Sequence, residues 1–265
     1  MLSEQELRDI RDRRIIRANE LIQKFNNRFS ARQQKIILYL ISSIDQYSTE
    51  LSEVEFSVSD FCQVCGIPAG GQFYKELENE LLTIASTQIS TTVIDEYGER
   101  NNTNLMWIRD YHFYSSGIVR ITLKEEMKPY LLQLQERFTQ TQLLFSVHFK
   151  SKYTLRLYDY ICSIHYDKQT KYNRRYTLKE VRGILGVDDG VYPEYKELKR
   201  CALKPAIDEI NKCSDKHIEL IEMRKGRSIT HIEFEITSVS IAARVKAAAT
   251  AENDLNGKKD KGNAS

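Results

Sequence analysis

A long internal repeat constrains this chain more than any other feature of its sequence. The block from Phe56 to Ile67 (FSVSDFCQVCGI) recurs from Tyr176 to Val187 (YTLKEVRGILGV), with aromatic, aliphatic, acidic, apolar and glycine positions in register. Two further pairs of blocks keep a shift of 121 residues: Tyr74–Leu77 with Tyr195–Leu198, and Ser30–Leu40 with Ser151–Ile161. Two copies at such a long period predict two related domains rather than a solenoid.

Each copy predicts the same order of elements. Ser30 and Ser151 are suitable N-caps for a first helix, and a short extended piece leads into a second helix that stops at Gly66 or Gly186. A third helix and period-two strands follow. The strands are predicted at Ile89–Asp95, Leu105–Tyr114 and Ile118–Leu123, and then at His217–Met223 and Ser228–Thr237. This is the order of a winged helix, whose third helix can enter a DNA major groove while the hairpin contacts the adjacent backbone.

We therefore predict an α+β protein with two tandem winged-helix domains, related by internal duplication and joined by a helix. Residues 1–146 form the first domain, which includes an N-terminal helix with solvated arginines and the linking helix at Glu125–Gln142. Residues 147–240 form the second domain. Residues 241–265 are small, polar and charged, and we expect them to be disordered.

The net charge of +2 is too small to imply a nucleic-acid partner, but its distribution is uneven. Residues 1–146 hold 16 Lys/Arg against 20 Asp/Glu, whereas residues 147–240 hold 18 against 14. The second half is therefore better suited to approach a polyanion. No apolar run approaches the ~20 residues that span a bilayer, and the N-terminus has no apolar signal core. These features indicate a cytoplasmic protein with no membrane partner.

Cys62 and Cys65 stand in the C-x-x-C spacing of a zinc or redox site. In the repeat they correspond to Arg182 and Leu185, and a position that can be leucine is a core position. A second C-x-x-C or H-x-x-x-H, which a four-ligand zinc site requires, does not occur. The five cysteines are an odd number and do not suggest a disulfide framework. We interpret Cys62 and Cys65 as packing residues and predict no metal.

Catalytic signals are weak. The five histidines include no pair flanking a hydrophobic residue, which a metal-dependent nicking enzyme requires, and fifteen tyrosines make any one of them uninformative as a nucleophile. The phosphate-binding pattern G-x-x-x-x-G-K-[ST] does not occur. We predict no catalytic residue and no cofactor, and keep a nicking rolling-circle initiator as the less favoured alternative.

The third helices of the two copies differ in charge. Glu78, Asn79 and Thr83 of the first copy correspond to Lys199, Arg200 and Lys204 of the second. Basic side chains can neutralise phosphates or pair with guanine edges, although a merely solvated basic face is the alternative. We expect Pro205 to kink or divide this helix after Lys204.

The predicted DNA-binding residues of the second copy fall into four groups. They are Lys196, Lys199, Arg200 and Lys204 on the third helix; Arg224, Lys225 and Arg227 on the hairpin turn; Ser151, Lys152 and Arg156 at the start of the first helix; and Arg174 and Arg175 near the strand. The third group follows from the affinity of helix N-termini for phosphate.

Two motifs carry a resemblance to a known family. S-K-Y-T-L-R-L-Y (151–158) and K-P-A-I-D-E-I-N (204–211), together with the YTLKEVRGILGV block, resemble the winged-helix replication initiator (Rep) proteins of theta-type, usually iteron-bearing, bacterial plasmids. The resemblance covers residues 15–240. It implies two winged-helix domains that bind direct repeats at the origin as double-stranded DNA, and it implies no cofactor.

The resemblance also implies partners. Dimers formed largely through the first domain repress their own promoter, monomers initiate replication, and the host initiator and replicative helicase are recruited. The alternative from the same fold is a tandem winged-helix transcriptional repressor, which would bind an isolated palindromic operator instead of repeats.

Overall fold

A computed structural model describes residues 2–25, 28–68, 70–94, 100–165, 171–226 and 228–260. The chain forms two compact units. Unit 1 comprises Met1–Val147 together with Asp254–Ser265, and unit 2 comprises His148–Asn253. Each unit contains helix, strand, helix, helix and hairpin in the predicted order. The prediction of two winged-helix domains is confirmed.

Unit 1 surrounds its winged helix with additional elements. Its elements are α1 (Glu4–Arg11), β1 (Arg14–Ala18), α2 (Asn19–Gln23), α3 (Ala31–Ser42), β2 (Val54–Ser57), α4 (Val58–Cys65), α5 (Gly71–Ser86), β3 (Ile89–Ile94), β4 (Arg100–Leu105), β5 (Ile108–Phe113), β6 (Ile118–Leu123), a 3₁₀ turn (Glu125–Met127), α6 (Lys128–Leu131), β7 (Phe138–Gln142) and α7 (Leu143–His148). The winged-helix sheet has the order β2-β6-β5, and β3–β4 and β1–β7 form two further antiparallel pairs.

Local signals start and stop the helices of unit 1 as predicted. Ser30 accepts a hydrogen bond from the Gln33 N–H, and the Gln33 side chain accepts one from the Ser30 N–H, so α3 begins with a capping box. Gly66 ends α4 in the left-handed region, with φ of 61°. The ring of Phe61 lies 5.2 Å from that of Tyr39 and packs near Phe56 and Phe73 in the core.

Unit 2 has fewer elements in addition to its winged helix than unit 1. Its elements are α8 (Lys152–Ile164), β8 (Lys171–Thr177), α9 (Leu178–Leu185), α10 (Tyr195–Leu198), a π-helical segment (Lys199–Leu203), α11 (Lys204–Cys213), β9 (Lys216–Lys225) and β10 (Ser228–Ser238). The sheet order is β8-β10-β9, and both pairs are antiparallel. As predicted, Ser151 caps α8 and Gly186 ends α9 with φ of 63°.

The third helix of unit 2 is continuous in sequence but changes its winding. In the π-helical segment, Lys204 donates its N–H to the Lys199 carbonyl, one residue further back than in an α-helix. Pro205, which has no N–H to donate, follows in the first turn of α11. The irregularity that we expected at Pro205 is therefore present, but it precedes the proline and the helix continues.

Two predictions for unit 1 are wrong. Glu125–Gln142 does not form the linking helix: after α6 the chain forms β7, whose residues pair with β1 from Arg14↔Gln142 to Ala18↔Phe138. Gln133 and Arg137 have positive φ, which ends the helical spacing, and pairing with a distant strand overrides local periodicity. The helix that stands before unit 2 is α7. The single strand predicted at Leu105–Tyr114 is divided between β4 and β5.

The C-terminal segment also differs from the expectation of disorder. Ile241–Asp260 forms α12, and the structure does not describe residues 261–265. Its alanine-rich start has high helix propensity, and Ala247, Ala251 and Leu255 form a buried row at helical spacing. None of the helices in the described part of the chain combines the length and apolarity needed to cross a membrane.

The arginines of the N-terminal segment are not all solvated. Arg11 is fully buried and Arg17 is nearly so, contrary to the prediction. Arg11 donates from Nε to the Val64 carbonyl (3.1 Å) and from Nη2 to the Gln63 carbonyl (3.0 Å). It binds the C-terminal carbonyls of α4, and such side-chain donors satisfy groups that a helix leaves without partners.

Candidate nucleic-acid interface

The start of the third helix in unit 2 presents an exposed basic face. Lys196 and Arg200 lie four residues apart, which places them on one side of the helix, and both side chains are exposed. Within the described ranges, neither side chain forms an ion pair or a hydrogen bond. Lys225, at the tip of β9, is likewise exposed beside Gly226 at the hairpin turn. Arg227 lies outside the described residues.

Two other residues of the predicted set interact with the same carboxylate, that of Glu222. Lys199 donates from Nζ to Glu222 Oε1 over 2.6 Å, and Arg224 Nη2 lies 3.7 Å from Glu222 Oε2. Tyr195 also donates its hydroxyl to Glu222 Oε1, over 2.7 Å. The hydrogen bonds from Lys199 and Tyr195 lower the pKa of Glu222 below its usual range, because they stabilise the ionised carboxylate.

Lys204, Arg174 and Arg175 lie in different surroundings. Lys204 forms an exposed ion pair with Asp208, one turn along α11. Arg174 lies over the ring of Tyr176, with its guanidinium carbon 5.4 Å from the ring centre. Arg175 Nη2 lies 3.6 Å from Glu233 on β10, so Arg174 and Arg175 face opposite sides of β8. The predicted set is therefore not one continuous surface.

The polar residues at the start of α8 contact other groups of unit 2. Ser151 accepts the Tyr153 N–H, and the Lys152 ammonium lies 5.2 Å from the centre of the Tyr153 ring. Arg156 donates from Nε to the Ile184 carbonyl (3.0 Å) and from Nη2 to the Gly183 carbonyl (3.1 Å). Burial lowers the pKa of Arg156 to about 10. In this structure the Arg156 guanidinium bonds the C-terminal carbonyls of α9, and its contact with a phosphate stays a prediction.

Sequence reasoning missed Arg182. From α9 it donates to the carbonyls of Asp188, Val191 and Tyr192, over 3.0, 2.8 and 2.8 Å. These carbonyls belong to the loop that leads into α10, so Arg182 fixes where the third helix begins. The signal was available: Arg182 is charged where the first copy has the buried Cys62.

The residues of the two family motifs hold unit 2 together. Tyr158, buried in α8, donates its hydroxyl to Asp215 over 2.8 Å. Asn211 donates to the Ile218 carbonyl (2.9 Å) and accepts the Ile218 N–H (2.7 Å), so one side chain joins α11 to β9. Each motif therefore contributes a side chain that joins two elements of unit 2.

The corresponding helix of unit 1 has a different charge. Arg32 on α3 pairs with Glu76 (2.6 Å) and lies 4.0 Å from Glu80, and its guanidinium carbon lies 5.5 Å from the centre of the Phe73 ring. Glu78 is exposed on the same helix. The exposed Glu78 carboxylate repels phosphates, whereas Lys199 at the corresponding position of unit 2 is a cation.

Cys62 and Cys65 are both buried in α4, as the packing interpretation predicts. Burial raises the pKa of the Cys62 thiol to about 12, which opposes formation of the thiolate that binds metals or attacks disulfides.

Comparison with known proteins agrees with the two-domain fold. The family described as "Initiator Replication protein, WH1" matches residues 14–162, and the one described as "Initiator Rep protein, WH2" matches residues 177–236. A "Replication initiation protein" of Escherichia coli is 24% identical over 230 residues, which span 84% of this chain and 69% of that protein.

A solved structure of an initiator protein shows the same fold. The Pi initiator protein, solved in complex with iteron DNA, superposes with a TM-score of 0.70 at 20% identity, covering 87% of this chain and 99% of that chain. Domains 2 and 3 of RctB give a TM-score of 0.48 at 10% identity, covering 79% of this chain and 80% of that chain. Because the two family matches together span well over half of the sequence, the chain belongs to the initiator replication protein family, with a WH1 domain followed by a WH2 domain.

Proposed function

We propose that this protein initiates plasmid replication by binding repeated double-stranded DNA sites, the iterons, at the origin. The observation that carries the proposal is the exposed pair Lys196 and Arg200 at the start of the third helix of a WH2 domain. The Pi initiator, whose fold this chain shares, was solved in complex with iteron DNA.

The geometry of unit 2 fits a winged-helix contact with a duplex. The N-terminal part of a third helix reaches base edges in the major groove, where arginine pairs with guanine and lysine neutralises phosphates. Lys225 lies at the hairpin turn, the part of a winged helix that reaches the adjacent backbone. The other basic residues of the predicted set that the structure describes contact carboxylates, backbone carbonyls or aromatic rings. We therefore assign the main contact to Lys196, Arg200 and Lys225.

We propose a division of labour between the domains. The WH2 domain supplies the main origin contact, and the WH1 domain supplies dimerisation and auxiliary DNA contacts. The exposed carboxylate of Glu78 on α5, at the position that corresponds to Lys199, supports this assignment.

The mechanism that we propose is binding without covalent chemistry. Occupation of adjacent repeats bends the DNA, and the deformation falls on nearby A·T-rich steps that unstack easily. The bound protein then recruits the host initiator and the replicative helicase in the cytoplasm, and its dimers repress its own promoter. No cofactor is needed for these steps.

A matched pair of substitutions tests the proposal. Arg200→Ala should weaken binding to a repeat-bearing duplex by about 5- to 100-fold, the range expected for loss of one bidentate base contact. Asn79→Ala, at the corresponding position of the first copy, should change the affinity less than twofold. Titrations at one fixed salt concentration measure both, and equal losses would contradict the division of labour.

Two further observations bear on the function itself. Footprinting on the DNA that flanks the gene should reveal protection of several direct repeats; protection of one isolated palindrome would favour a repressor. Incubation with supercoiled origin DNA and a divalent metal should leave the DNA intact on an agarose gel. Cleavage there would replace the binding mechanism with a nicking one.

A further inference from the structure

The side chain of Glu222 brings together the third helix and the wing of unit 2. It projects from β9, and only 20% of its surface is exposed. Its Oε1 accepts hydrogen bonds from Tyr195 (2.7 Å) and Lys199 (2.6 Å), and its Oε2 lies 3.7 Å from Arg224 Nη2. One carboxylate oxygen therefore faces the helix, and the other faces a cation on its own strand.

The positions of the donors explain why the helix has a defined rotation. Tyr195 and Lys199 are four residues apart, so they share one side of the helix, and both point to Glu222. Lys196 and Arg200 each follow one of these donors by one residue, so they project from the adjacent side of the helix. Both are exposed. Holding the first pair against β9 therefore fixes the direction in which the second pair points.

The ionisation states of Glu222 and Tyr195 stabilise this contact at neutral pH. Hydrogen bonds from Lys199 and Tyr195 lower the pKa of Glu222, so the carboxylate stays ionised. Burial, with a contribution from Glu222, raises the pKa of Tyr195, so its hydroxyl keeps the proton that it donates. The Lys199 side chain is 39% exposed, which leaves its ammonium within reach of solvent but already paired.

We propose that Glu222 is a positioning residue that holds the start of the third helix against the wing and keeps Lys199 out of contact with DNA phosphates. Lys196 and Arg200 then meet the DNA alone from this part of the helix. The inference rests on the proposed function and deepens it, because it distinguishes residues that contact DNA from residues that only position those contacts.

The dependence of binding on salt tests the inference, because the slope of log K against log salt counts the phosphates that are neutralised. Lys196→Ala, the matched control, should make the slope shallower by about 0.9, the value for one phosphate contact. Lys199→Ala should leave the slope unchanged while weakening binding to the repeat. Glu222→Gln should release Lys199, steepen the slope by up to about 0.9, and raise affinity for a scrambled duplex.

Two results overturn the inference. One is a Lys199→Ala slope as shallow as that of Lys196→Ala, and the other is a Glu222→Gln slope equal to that of the wild type. The titrations use a repeat-bearing and a scrambled duplex side by side. If the wild type does not prefer the repeat, the proposed function fails, and this result is separate from either slope.

A measurement without DNA keeps the positioning role testable in that case. Tyr195→Phe removes only the donated hydroxyl, and Glu222→Gln keeps the shape of the acceptor. In urea unfolding, the shifts of the midpoint caused by the two changes should be clearly less than additive in the double variant, because both alter the same contact. Additive shifts would show that Tyr195 and Glu222 act independently and would overturn the positioning role.

Discussion

The C-terminal ends of α4 in unit 1 and α9 in unit 2 receive the same hydrogen bonds from different parts of the chain. In unit 1 the donor is Arg11, which bonds the carbonyls of residues 63 and 64 through Nη2 and Nε. In unit 2 the donor is Arg156, which bonds the carbonyls of residues 183 and 184 through the same two atoms. The acceptors are related by the repeat, but the donors are not.

The two helix ends need the same donors because their carbonyls are otherwise only partly satisfied. In α4 the Ile67 N–H bonds the Cys62 carbonyl and the Gly66 N–H bonds the Gln63 carbonyl; in α9 the corresponding bonds run to residues 182 and 183. This glycine-ended turn leaves the next carbonyl, that of Val64 or Ile184, for a side chain.

The comparison shows what the duplication preserved. At the position corresponding to Arg156 the first copy has Lys35, which donates instead to the Val147 carbonyl over 2.6 Å. An arginine from α1, outside the repeat, supplies the missing donor in unit 1. Both copies therefore satisfy the carbonyls at this helix end with an arginine, but the two arginines do not correspond in the repeat.

The largest expected effect is the loss of either arginine. Arg11→Ala and Arg156→Ala should each lower the free energy of unfolding by about 2–4 kcal/mol, because two carbonyls lose a charged donor. We expect Arg11→Ala to cost more, since Arg11 is fully buried and also bonds Asn256 over 3.1 Å. Urea unfolding measures both.

Arg13→Ala is the control for these two variants, because Arg13 is exposed and should contribute less than about 0.5 kcal/mol. An Arg156→Ala variant of normal stability with a shallower salt slope for DNA binding would contradict the capping role. It would instead restore Arg156 as a phosphate contact.

The glycines that end the two helices should give a smaller effect. Gly66→Ala and Gly186→Ala should each destabilise by about 1–3 kcal/mol, because alanine is strained at positive φ. An added Cβ would also lie 2.9 Å from Leu255 Cδ2 in unit 1 and 2.7 Å from Arg156 Nε in unit 2. Thermal unfolding compares them with Gly183→Ala, whose Cβ would meet open space and should not destabilise.

A double variant sharpens this prediction. If the Cβ at residue 186 displaces the arginine, Gly186→Ala should cost less in the Arg156→Ala background than in the wild type. Equal costs in the two backgrounds would show that strain at positive φ accounts for the whole effect.

The smallest expected effect is on the pH dependence of stability. It concerns the N-terminal ends of α4 and α9. Thr177 and Glu180 form a capping box at the start of α9, whereas at the start of α4 the Asp60 N–H donates to the Ser57 side chain. Hydrogen bonds from Thr177 lower the pKa of Glu180. The stability that this carboxylate contributes is therefore complete above its unfolded pKa and is lost as pH falls through the lower folded pKa.

Unfolding temperatures measured from pH 6 to pH 3 test this difference. Glu180→Gln should lose less stability than the wild type over the acid part of this range, because its side chain does not titrate. Asp60→Asn is the matched variant in the first copy. A Glu180→Gln profile parallel to that of the wild type would contradict a capping contribution from the Glu180 carboxylate.

The sequence by itself determined the repeat, the order of elements within each winged helix and the ends of several helices. These features follow from bonds between near neighbours: the cap at Ser30 joins residues three apart. Gly66 and Gly186 end their helices at positive φ, which glycine adopts with little strain because it has no Cβ. The charge difference between the third helices was also visible in the sequence alone.

Tertiary structure alone decided where the long polar side chains go. Arg11 meets Val64 across 53 residues, Lys199 meets Glu222 across 23, and β7 pairs with β1 across more than a hundred. Periodicity and caps report only on contacts within a few turns, so they could not predict these partners. A buried charged group must find a donor or acceptor, and the fold decides which one lies close enough.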